Sequence, residues 1–119
     1  MPARLRTAPA AEVSAAVARV RGGEVTRDDL RLLTKHFLAL LEQRAPGRSV
    51  EVRVPPYAAV QCIEGVRHTR GTPPAVVETD AATWVAVATG DLAWAEAVEQ
   101  GRVVASGERT DLTPYLPLH

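Results

Sequence analysis

The sequence predicts an α+β fold, a sheet with helices packed over one face. Three observations carry that expectation. Helical patterns bunch toward the two ends of the chain. Three short strand patterns lie close together between residues 50 and 79, and a fourth follows near residue 104. The regular alternation of strand and helix that a dinucleotide-binding fold needs is absent. The chain has 119 residues, enough for one domain with a two-layer core.

Residues 1–9 read as a loose tail. From Ala10 the run EVSAAVARV puts Val13, Ala16, Val17 and Val20 on one helical face, and Gly22-Gly23 ends it. Short and alanine-rich, this helix needs the body of the protein to hold it. Thr26 is an N-cap, and Asp28 and Asp29 suit the positive end of the dipole behind it. The helix runs to about Arg44 on a stripe of Leu30, Leu33, Phe37, Leu40 and Leu41, widened by Leu38. Ala45-Pro46-Gly47 stops it.

In SVEVRVPPY, Val50, Val52 and Val54 alternate with Glu51 and Arg53, which makes a strand with one polar face. Pro55-Pro56 breaks it. YAAVQCIEG is a second strand, with Ala58, Val60 and Cys62 on one face and Tyr57, Ala59, Gln61 and Ile63 on the other. The short link makes these two antiparallel neighbours. HTRGTPP is an ordered loop leading to a third strand, AVVET, at residues 75–79. Thr79 or Asp80 caps a helix carrying Trp84, Val85, Val87 and Ala88, closed by Gly90. Asp91 caps a further short helix containing Leu92, Trp94, Ala95 and Val98, closed by Gly101. RVVAS is a fourth strand, and DLTPYLP a last helical turn with Pro114 near its start. The division expected is a tail and short helix over residues 1–25 and a domain over 26–119, with one core between them.

Composition narrows the function. Hydrophobic residues make up 46%, which suits a folded domain. The 14 basic residues balance 14 acidic ones without a basic block, so no nucleic-acid partner is expected. A small neutral chain has little repulsion between copies, and a homodimer is among the expectations. The one cysteine, Cys62, rules out an intrachain disulfide and points to the cytoplasm. MPARLRTAPAAEV has no apolar run of a secretory signal, and no stretch reaches the ~18 apolar residues of a transmembrane segment.

No catalytic constellation stands out. His68 has the titration range of a general base, but no orienting carboxylate or nucleophile is marked out beside it. Arg70, Arg67 and Arg53 offer forks for a carboxylate or phosphate, with Glu51, Glu64 and Glu78 equally available as internal partners. His36, His68 and His119 lack metal-ligand spacing, so no metal is expected. The glycines match neither nucleotide-binding motif and serve as caps and turns. Trp84 and Trp94 sit among alanines. They are either two large core residues or the walls of an apolar cavity, co-lined by Cys62, Ile63, Val85 and Val98.

The stretch ATGDLAWAEAVEQGRVVASGERTDLTPYLPL resembles the C-terminal part of sterol carrier protein domains. The landmarks are Gly90, Asp91, Ala95 or Ala97, Gly101, Val103, Gly107, Glu108 and Leu112. The stretch APGRSVEVRVPPYAAVQCIEGVRHTRGTPPAVVETD is similar to the bacterial, mainly actinobacterial, branch of that family, and the likeness runs from about Thr26 to Leu118. It implies a mixed, largely antiparallel sheet, with an apolar space between sheet and helices for a fatty acid, acyl-coenzyme A or sterol-like lipid. It implies no catalytic residue, no metal and no cofactor. The expected ligand-binding set is then Arg53, Gln61, Ile63, Arg70, Trp84, Val85, Trp94 and Val98, with Arg70 or Arg53 at the mouth.

Three functions follow in order. The first is a non-enzymatic carrier of an apolar small molecule or acyl chain. The second is a small interaction or regulatory module with a filled core. The third is an enzyme or a thiol-cofactor-binding domain using His68 and Arg70; the resemblance also implies that related domains occur fused to mycothiol-dependent maleylpyruvate isomerases, so the fold alone does not fix lipid transport.

Overall fold

The computed structural model describes residues 4–65 and 75–119. Along the chain lie α1 (Ala10–Arg21), α2 (Arg27–Arg44), β1 (Val50–Val54), β2 (Ala58–Cys62), β3 (Ala75–Thr79), α3 (Ala81–Thr89), α4 (Trp94–Glu99) and β4 (Val103–Ser106). A 3-10 turn, Thr113–Tyr115, follows. The fold is α+β, as the sequence predicts.

Local chemistry explains most of the helix boundaries. The Thr26 hydroxyl accepts the Asp29 backbone N–H at 3.1 Å and starts α2. The Asp80 carboxylate accepts the Thr83 N–H at 2.8 Å and the Thr83 hydroxyl at 2.9 Å, starting α3. Gly90 ends α3 in the left-handed region, at φ 86°.

The start of α4 departs from the sequence-based expectation. The helix begins at Trp94, behind Ala93, without a side-chain cap. Leu92 precedes it and donates its N–H to the Ala86 carbonyl. Asp91 accepts two bonds from the Arg21 guanidinium instead, at 2.9 and 3.1 Å. The fork of the guanidinium engages both carboxylate oxygens and holds them toward α1.

The sheet has the order β2-β1-β3-β4. β1 pairs antiparallel with β2 and parallel with β3, and β3 pairs antiparallel with β4. The sheet is therefore mixed and largely antiparallel. Its inner face carries Val50, Val52, Val54, Val60, Cys62 and Val77, all buried. Glu51, Arg53, Gln61 and Glu78 fall on the outer face, as the two-residue pleat requires. α2 packs against β2 and α3, and α1 packs on α2.

Ile63 leaves the alternation. Its φ of 66° takes it out of the pleat and turns the side chain into the core. Its N–H donates to the Ala45 carbonyl, and its own carbonyl accepts from the Ser49 N–H and hydroxyl. A Cβ at Gly47 would overlap that Ile63 carbonyl, so the close approach of the two segments needs glycine there.

Candidate functional site

Among the described residues, side chains from the sheet and the helices pack together in the space between them. Trp84 is fully buried, and its indole N–H donates to the Thr34 carbonyl at 3.3 Å. Leu33, Leu38, Leu41, Val87 and Leu112 are buried with it, in one cluster with the inner valines. Ala16 from α1 joins the same cluster. The Thr34 hydroxyl is buried without a hydrogen-bond partner among the described residues.

The expected ligand set is spread over this frame. Trp84, Trp94, Val85 and Ile63 are buried. Arg53 and Gln61 point from the outer face of the sheet, away from the tryptophans. Arg53 lies beside Glu51 at 3.4 Å and Glu78 at 3.8 Å. Val98 is 46% exposed on the solvent side of α4. Arg70 lies outside the described residues, as do Arg67, His68 and the rest of HTRGTPP. Val85 also lines a hollow of about 110 Å³ between α1 and α3, together with Val17, Val20 and Ala86.

Burial pushes the Cys62 thiol up to about 12, and the nearby charge of Glu42 adds to the shift. It stays protonated at neutral pH and is a poor nucleophile. Among the described residues, no group of three His, Cys, Asp or Glu side chains is arranged to hold a metal ion.

A different place offers space. A groove of about 410 Å³ opens where the N-terminal segment, α1, α2 and the C-terminal residues meet. Val13 on α1, Phe37 and Leu40 on α2, and Leu118 give it apolar walls. Leu118 is held by its N–H to the Ala88 carbonyl at 2.7 Å and is almost fully buried. The Arg44 guanidinium bonds the Pro117 carbonyl at 3.2 Å and ties the C-terminal segment to the end of α2.

Polar groups at this groove are few: Thr7, Ser14, His36, Gln43 and His119. His36 is the best defined. Its Nδ1 accepts the Ala8 backbone N–H at 2.9 Å, a bond that pins the N-terminal segment to α2. Its ring meets Phe37 edge-on, with centroids 5.0 Å apart. Burial holds the His36 pKa below its usual value, so the neutral form is favoured.

Two further hollows flank α1. One, of about 450 Å³, is walled by Arg19, Asp28, Asp29 and Glu12 with only Ala11, Ala15 and Leu32 between. Two of its four charged side chains engage each other, Arg19 holding Asp29 through two bonds of 2.8 and 2.9 Å. The other, of about 430 Å³, lies beside the N-terminal segment and carries Arg6, Arg31 and Lys35 with Glu12 and Asp28. Of these three spaces, the groove at Leu118 is the one lined by no Asp, Glu, Lys or Arg side chain and by an aromatic ring, which makes it the better site for an apolar ligand.

Sequence reading left His36 as an unpartnered helical residue. The available signal was the i, i+4, i+7 row His36, Leu40, Gln43 beside the core stripe of α2. That row is meaningful only once α1 and Leu118 are known to stand over it.

Comparison with known proteins then fixes the family. A search with the chain matched no curated protein. A family model described as bacterial SCP ortholog matches residues 26–118, from the N-cap of α2 to the buried Leu118. The match, the four-stranded mixed sheet and the helices on one of its faces agree, and the chain belongs to the bacterial sterol carrier protein family.

Proposed function

We propose that this protein binds and carries a small apolar ligand, a fatty acid or a similar lipid chain, in the groove between its N-terminal segment, α1, α2 and the C-terminal residues. The family is of the carrier type. The observation that carries the reading is the groove itself. Its volume of about 410 Å³ falls within the ~300–1,000 Å³ of small-molecule sites, and its walls are aliphatic and aromatic. Apolar burial alone supplies the affinity, so no catalytic group is required.

Chain length tests this directly. Each methylene that becomes fully buried contributes ~0.8 kcal/mol, close to a fourfold gain in affinity. In an open groove the gain per carbon is smaller. Calorimetric titration with saturated fatty acids of increasing length should show affinity rising with each carbon until the groove is full, then levelling. No uptake, or an affinity independent of length, would remove the reading. Leu40→Asp, checked for folding by circular dichroism, should abolish binding.

The packing of Trp84 and its neighbours between sheet and helices supports a second reading, an interaction module without a ligand. Its contact surface would be the β4 edge, where Val104 is 68% exposed. A monomer in sedimentation at micromolar concentration would count against the dimeric form of this reading.

A further inference from the structure

We infer that His36 is the head-group donor of the groove: the carboxylate oxygen of a fatty acid bound there accepts the His36 Nε2–H. The inference rests on the groove reading and names the residue that holds the head group.

The tautomer decides it. A neutral imidazole has one donor nitrogen and one acceptor nitrogen. The Ala8 backbone N–H donates to Nδ1 at 2.9 Å. A backbone N–H can only donate, so Nδ1 must carry the lone pair and the proton sits on Nε2. Burial independently favours the neutral ring. The edge-on Phe37 ring restricts its rotation. Among the described residues, no protein acceptor takes the Nε2–H. The hydroxyls of Thr7 and Ser14 and the amide of Gln43 can turn to donate or accept. His36 is different, because the backbone has already assigned its direction.

The charge beyond the groove wall, three cations against two acids, adds a small bias toward an anion. Beyond the Thr7–Ala8 wall of the groove, Arg6, Arg31 and Lys35 face Glu12 and Asp28. The ion pairs among the described residues involve none of these three cations. Around the groove itself, the other titratable side chain is His119. A carboxylate at Nε2 forms a charge-assisted bond, roughly twice as strong as a neutral one. An alcohol head group keeps an acceptor but loses the charge. A quaternary ammonium has no acceptor at all.

Two measurements on the full chain test the assignment. Nitrogen-15 imidazole spectra of the free protein should show His36 as the Nε2–H form with Nδ1 as acceptor. Calorimetry with dodecanoate, dodecanol and dodecyltrimethylammonium, which share one chain, should rank them in that order, with dodecanoate about tenfold or more ahead of the ammonium. His36→Asn places an oxygen near the position of Nδ1, keeping the acceptor for Ala8 while removing the Nε2 donor. It should erase the preference for dodecanoate and leave the ammonium affinity in place. A proton on Nδ1 in the free protein would overturn the assignment before any ligand is added. Equal affinities in the native protein, or a preference that survives in His36→Asn, would overturn it as well. If the three probes bind equally, the groove stands and only the head-group assignment falls. If none binds, the groove reading falls with it.

Discussion

The two long sides of α2 border two apolar spaces with opposite fates. Toward the sheet, Leu33, Leu38 and Leu41 meet Trp84 and the valines of β1, β2 and β3 in one buried cluster of the described residues. Toward α1 and the C-terminal residues, His36, Leu40 and Gln43 border a groove that stays open. One large indole accounts for much of the first result. The second arises because its walls come from three separate parts of the chain: α1 packs on α2, and Leu118 arrives from the far end of the sequence. The comparison teaches that, among the described residues, the open room borders the helices and chain ends. The volume over the sheet is spent on stability.

The largest effect should come from breaking the closed side. Trp84→Ala removes a fully buried indole together with its bond to the Thr34 carbonyl. It should cost ~3–5 kcal/mol, read as a lowered urea midpoint. A loss below ~1 kcal/mol would mean the interior is loosely packed and the contrast between the two sides is false.

The wall contributed by α1 should fail next. Arg19 and Asp29 clamp the helix to the start of α2. The hydrogen bonds from Arg19 hold the Asp29 carboxyl below its ordinary value of 3.8, while its burial works the other way. The clamp is therefore complete above that ordinary value and is lost as pH falls through the lowered one. Arg19→Ala at neutral pH should raise amide exchange throughout α1 and leave β1 and β3 protected. Uniform protection in the variant would show that Ala16 and the Arg21–Asp91 pair hold α1 without it.

A smaller change should separate binding from stability. Leu40 is only partly buried, against the core edge. Leu40→Ala should cost ~1 kcal/mol, less than half the loss at Trp84, yet weaken dodecanoate binding several-fold. A larger loss of stability with unchanged binding would place Leu40 in the core and move the groove elsewhere.

How far the sequence shows these two sides depends on how local their causes are. The α2 start was legible because Thr26 and Asp29 are three residues apart and satisfy each other. β1 was legible because its valines alternate with polar residues that do face outward. The burial of both tryptophans followed from their alanine-rich helices. The start of α4 was not legible, since Asp91 is drawn off by Arg21, 70 residues earlier. Ile63 was assigned to the wrong face because its inward turn depends on Ala45 and Ser49. The groove had no local signal at all. His36 acquires its role only from Ala8, 28 residues away, and from Leu118.

The smallest effect should come from the outer face of the sheet. Arg53 was the described arginine expected at a ligand mouth, and it projects from the side of β1 opposite α2. Its side chain is half-exposed, with Glu51 at 3.4 Å and Glu78 at 3.8 Å. Exposed pairs at such distances contribute little, because solvent screens the attraction and two long side chains lose freedom. Arg53→Gln should therefore shift stability by less than ~0.5 kcal/mol. It should also leave dodecanoate affinity unchanged, since the sheet separates it from the groove. A tenfold loss of binding in this variant, with an unchanged urea midpoint, would put the carboxylate at the outer face instead of at His36. The open side of the molecule would then be the sheet, and the contrast drawn across α2 would have to be redrawn across β1.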